Sequence, residues 1–114
     1  MDCFEPIRER GFAVILGVVG YKEIDALLGG LSRADLTRSR AGVRHAMRIR
    51  VVAEIASGAP LLGMAREILG RNAFPFRATL FDKSPAANWL VVWHQDTALP
   101  LRERRETPGW GRGR

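Results

Sequence analysis

Cysteine is nearly missing from this chain: Cys3 is the single thiol in 114 residues. One thiol beside a terminus cannot staple a fold, so a reducing compartment and a cytoplasmic location are the expectation. Lysine is as scarce, with Lys22 and Lys83 alone, and the formal net charge of +6 and pI of about 11.0 come from arginine. Histidine appears only as His45 and His94. The apolar run Phe12 to Val19 falls short of the roughly 20 residues that cross a bilayer. The opening MDCFEPIRERG is mixed in charge and has no apolar signal core. These absences exclude a disulfide scaffold and predict that no membrane is involved.

What is present is ordinary for a globular protein. Hydrophobic residues make up 46% of the chain, so disorder is not expected, and the length suits one small domain or part of a larger one. A basic balance can serve nucleic acid or anionic ligands. Here the arginines are dispersed and not interleaved with aromatics, which favours a solvated face and no nucleic-acid partner. Arg38, Arg40, Arg44, Arg48 and Arg50 leave open a patch for a phosphorylated or CoA-linked substrate, against the plainer solvated face.

Helical spacing comes first along the chain. Ile24, Leu27, Leu28 and Leu31 share one face of a helix beginning at Tyr21, and Gly29-Gly30 reads as its stop. The arginine-rich residues 33–47 read as a loop running into a short helix around Val43 to Met47. Val51 to Ala56 and Leu61 to Leu69 read as two helices divided by Ser57-Gly58-Ala59-Pro60, with Pro60 in the first turn of the second and Gly70 just past its end. Strand composition appears at Phe12–Leu16, Phe76–Phe81 and Asn88–Trp93, with Ser84-Pro85-Ala86-Ala87 as turn material between the last two. Helices followed by strands give an α+β order. Residues 1–101 form the expected domain and 102–114 an Arg/Gly-rich tail with little to build a core.

The strand at Asn88 ends in His94-Gln95-Asp96. Successive strand side chains alternate faces, so His94 and Asp96 should project to one side and Gln95 to the other. A neutral imidazole and a carboxylate side by side are two of the three ligands of a 2-His-1-carboxylate triad, which leaves metal positions open and suits non-haem Fe(II) oxygenase chemistry. The plain alternative is a strand-end histidine and a turn aspartate in structural hydrogen bonds. A bare His-x-Asp is common by chance.

The block around it is more specific. Leu80-Phe81-Asp82-Lys83-Ser84-Pro85 through Trp93-His94-Gln95-Asp96-Thr97, followed by Pro108-Gly109-Trp110, resembles the phytanoyl-CoA dioxygenase family, and the resemblance extends from about Gly11 to Trp110. It implies a fold of N-terminal helices followed by the first strands of an incomplete double-stranded β-helix, or jelly roll. It implies Fe(II) and 2-oxoglutarate as cofactors, O2 and a small organic molecule as substrates, and His94 and Asp96 as metal ligands. Such enzymes take a third ligand from a later histidine and bind the distal carboxylate of 2-oxoglutarate with a later arginine. No histidine follows Asp96, and Arg112 and Arg114 come too soon. The chain is therefore expected to correspond to the N-terminal part of such an enzyme, ended by a frameshift, a premature stop or a truncated gene model. The family gives His45 no ligand role.

Two further residues are candidates for cofactor binding. Lys83 either faces the cavity and meets a carboxylate of 2-oxoglutarate, or is a turn lysine in solvent. Trp110 holds a family position that closes over the cofactor, or is an exposed tail residue. Trp89 and Trp93 read as strand packing. The competing functional reading is a non-catalytic remnant or small basic interaction module that associates through exposed strand edges.

Overall fold

The structure is a computed structural model and describes residues 4–34, 36, 42–94, 102–103 and 105–109. Among the described residues four α-helices and one 3-10 turn follow in chain order: α1 (Glu5–Arg10), α2 (Tyr21–Arg33), the 3-10 turn Ala46–Arg48, α3 (Arg50–Ser57) and α4 (Ala59–Leu69).

α1 begins with Glu5 and Pro6 and ends with Arg8 and Arg10, charges that match the helix dipole at both ends. Gly11 closes it at φ 83°, a left-handed conformation in which its N–H donates to the Ile7 carbonyl. This helix escaped the sequence reading because six mostly charged residues carry no apolar period.

α2 starts where the spacing places it but does not stop at Gly29-Gly30; it runs on to Arg33. The physical reason lies in α3. A Cβ on Gly30 would run into the Val51 side chain, so the bare glycine lets the two helices approach, and packing overrides its poor helix propensity. α3 is the hub, touching α2, the 3-10 turn and α4. Gly58 ends α3 and begins α4, Pro60 sits in the first turn of α4, and Gly70 stops it at φ 101°, as the spacing of these residues predicts.

The expected strands are the main correction. Among the described residues there is no β-strand, and so no first strands of a jelly roll. The contacts of strand type are two isolated antiparallel bridges, Val43 with Leu80 and Ser84 with Ala87. Phe12–Leu16, Phe76–Phe81 and Asn88–Trp93 have the right residue types, but β propensity expresses itself through cross-strand neighbours and burial. Among the described residues Phe76–Phe81 finds only the bridge of Leu80 to Val43, and in Asn88–Trp93 Leu90 is 96% and Trp93 103% exposed. The short helix expected at Val43–Met47 is also displaced, because Val43 enters the bridge and the 3-10 turn starts at Ala46.

The core is correspondingly small. Among the described residues Val43 and Ala46, at 4% and 3% exposure, are the buried apolar ones. They sit where the segment 42–46 is tied to residues 78–80. The Val43 and Leu80 amides each donate to the other's carbonyl at 2.8 and 2.9 Å, and the Ala46 amide donates to the Ala78 carbonyl at 3.0 Å. Gly42 permits this approach, with φ 93° and the Leu80 carbonyl lying where a Cβ would go.

Candidate functional site

Of the residues singled out by the family resemblance, Lys83 and His94 are described, and Lys83 precedes a turn at Ser84–Ala87. The Ala87 amide donates to the Ser84 carbonyl at 3.0 Å, with Pro85 and Ala86 between them, so the turn material behaves as its composition predicts. Three side chains close the neck. The rings of Phe81 and Trp89 lie 5.9 Å apart at 49°. The Lys83 ammonium donates to the Trp89 carbonyl at 2.9 Å and stands 5.0 Å from the Trp89 ring centroid. Lys83 is thus engaged across the turn in a hydrogen bond and a cation–π contact.

His94 is exposed, and its Nδ1 lies 2.8 Å from the Val92 carbonyl oxygen. A carbonyl only accepts, so the contact is a hydrogen bond when Nδ1 carries the proton. In the neutral ring that tautomer puts the lone pair on Nε2. Metal-binding imidazoles are commonly held this way, with the other ring nitrogen donating to a carbonyl. The supposed partner of His94, Asp96, lies outside the described residues, as does Trp110. The strand that was to align His94 with Asp96 is not formed as far as His94.

Among the described residues no three His, Cys, Asp or Glu side chains come together to hold a metal. The described part of the chain thus offers the His94 imidazole alone and does not by itself fit an iron ion. No step of an oxygenase reaction follows from its geometry.

Two clefts are formed elsewhere. One, of about 320 Å³, lies between α2 and the α3–α4 pair and is mostly apolar, with Leu27, Val51, Ile55 and Leu61 in its wall and Glu23 and Glu54 at its polar edge. The other, of about 260 Å³, is lined by His45, Met47, Arg48, Phe76 and Arg77. Neither includes Lys83 or His94. The second cleft was not legible in the sequence. It depends on the backbone pairing of residues 42–46 with 78–80, about 35 positions apart, and no local pattern announces that pairing.

Compared with known protein families, curated proteins and solved structures, the chain matches none. Among the described residues no helix is long and apolar enough to cross a membrane.

Proposed function

We propose that the chain acts in the manner of the Fe(II)/2-oxoglutarate-dependent dioxygenases of the phytanoyl-CoA dioxygenase kind, contributing His94 and Asp96 to the metal. The observation that carries this reading is the extended sequence block from Leu80 to Thr97 ending in His94-Gln95-Asp96. The 2.8 Å contact of His94 Nδ1 with the Val92 carbonyl is compatible with it, since a neutral ring protonated at Nδ1 carries its lone pair on Nε2. Iron and 2-oxoglutarate would supply C–H hydroxylation of a small organic substrate by O2. Trp110 is assigned to the cofactor side of the pocket by its family position alone. Lys83 is assigned there too, and would have to exchange its hold on Trp89 for a carboxylate. The single cysteine supports a cytoplasmic location.

The test is metal binding by the chain itself. Two protein ligands leave most of the coordination sphere to water, so Co(II), used as an Fe(II) surrogate, should bind weakly. His94→Ala and Asp96→Ala should each abolish that binding, while His45→Ala leaves it unchanged. Binding untouched by His94→Ala and Asp96→Ala would sink the reading. The chain alone should release no more succinate from 2-oxoglutarate than its His94→Ala variant.

A second reading, a non-catalytic remnant or basic interaction module, is favoured by the amount of apolar surface left open. Phe74, Phe76, Phe81, Leu90, Val92 and Trp93 are all exposed. Co(II) binding that ignores His94 and Asp96 would favour it over the oxygenase reading.

A further inference from the structure

The cleft at His45 is lined by basic and apolar side chains. Of its five lining residues, His45, Arg48 and Arg77 carry nitrogen donors, Met47 and Phe76 are apolar, and none carries a carboxylate. Among the described residues neither arginine takes part in an ion pair. The Arg77 guanidinium carbon stands 5.5 Å from the Phe76 ring centroid, so one cation is held against the aromatic wall of the cleft.

The two halves of the cleft are fastened together. Three backbone hydrogen bonds join residues 43 and 46 to residues 78 and 80, which brings His45 and Arg48 beside Phe76 and Arg77. The joint carries backbone strain. His45 has φ 58° and ψ 36°, and it is the one non-glycine residue with positive φ among those described. Such a conformation costs on the order of 1–3 kcal/mol and concentrates at ligand clamps and active sites. It survives here because the next amide, that of Ala46, is held by the Ala78 carbonyl, and the His45 carbonyl accepts from Arg48.

We propose that this cleft binds a small organic anion, a phosphate monoester or a carboxylate carried on an apolar body. Guanidinium groups present forked donors that match both oxyanions, and Phe76 and Met47 supply a surface for the body of the ligand. Size narrows the class. At about 260 Å³ the cleft sits just under the range of roughly 300–1,000 Å³ usual for drug-sized ligands, too small to enclose a dinucleotide. The proposal is independent of the iron reading, since neither His94 nor Asp96 enters it.

Equilibrium dialysis of the full chain against phenyl phosphate, benzoate and inorganic phosphate decides the matter. The expected result is saturable one-to-one binding of phenyl phosphate or benzoate, tighter than that of inorganic phosphate; the better of the two identifies the oxyanion. Arg48→Ala and Arg77→Ala should each weaken it about ten-fold or more, the effect of one charge-assisted hydrogen bond. Arg33→Ala removes the same charge from the end of α2 and should leave affinity unchanged. If Arg77→Ala lowers the helical circular dichroism, Arg77→Gln replaces it and should weaken binding equally. No saturable binding, equal weakening by Arg33→Ala, or inorganic phosphate bound as tightly as phenyl phosphate would each overturn the proposal.

Discussion

Two adjacent glycines in α2 do opposite work. Gly29 is a glycine where alanine would serve better: a Cβ there would meet only the tip of the flexible Arg33 side chain, at 3.3 Å from Nη1. Gly29→Ala should therefore stabilise the helix by up to about 1 kcal/mol through propensity and unfolded-state entropy. At Gly30 the same change drives a methyl into Val51, whose β-branched side chain has little freedom to yield. Overpacking of this kind costs about 1–3 kcal/mol, more than the propensity gain. Amide hydrogen exchange in α3 should become slower in Gly29→Ala and faster in Gly30→Ala. Equal protection in the two variants would mean that α2 and α3 are not in close contact. Lys83 makes a smaller prediction. Its exposed ammonium makes a hydrogen bond and a cation–π contact with the half-buried Trp89, and Lys83→Ala should cost the turn no more than about 1 kcal/mol. The indole N–H resonance of Trp89 should shift, while amide resonances in α4 stay put.

The elements differ in how far local residues determine them. α3 and α4 were readable because each carries its own apolar period, with a glycine or proline at the boundary. The turn at 84–87 was readable for a similar reason, since Pro85 presets its own φ. α2 was readable at its start and not at its end, because its end is decided by Val51 on another helix. The strands were misread because a strand is not a local object: Asn88–Trp93 has β-type residues and no neighbouring chain to pair with among the described residues. The candidate site follows the same division. His94 and Lys83 were named from a sequence block, but the cleft of His45, Arg48 and Arg77 is a product of long-range pairing and could not be. The segment Leu90–Trp93 carries an element-scale prediction. It is uncharged, β-prone and free of proline, and all four residues are exposed, which is the signature of an aggregation-prone window. Val91→Lys places a charge in its middle at a residue that is 56% exposed. It should raise the soluble concentration of the chain without changing its helical circular dichroism. If solubility stays the same, this segment is not the adhesive surface.

At the scale of the whole molecule, surface area gives the measure. A folded monomer of 12.7 kDa should expose about 6,200 Å², and its extended chain about 18,000 Å². This chain exposes 10,623 Å², well short of the burial a compact domain achieves. Its radius of gyration, 16.6 Å, exceeds the roughly 13 Å of a compact chain this long. Burial at about 25 cal/mol per Å² of apolar surface is the main term opposing chain entropy. With Val43 and Ala46 as the buried apolar residues among those described, that term is weak outside the α2–α3 contact and the joint of residues 42–46 with 78–80. The expected behaviour of the isolated chain is a helical but loosely packed state that associates through its open apolar surface despite the charge of +6. Three measurements should agree. Far-UV circular dichroism should report helix, the dye ANS should bind strongly, and heating should give a broad loss of signal in place of a cooperative step. Size-exclusion chromatography should show species larger than a monomer, shifting toward monomer on dilution. A monodisperse monomer that ignores ANS and melts cooperatively in the ordinary mesophile range of about 45–65 °C would contradict this. Such a result would mean that the exposed segments fold onto the helices and build a core that Val43 and Ala46 alone do not supply.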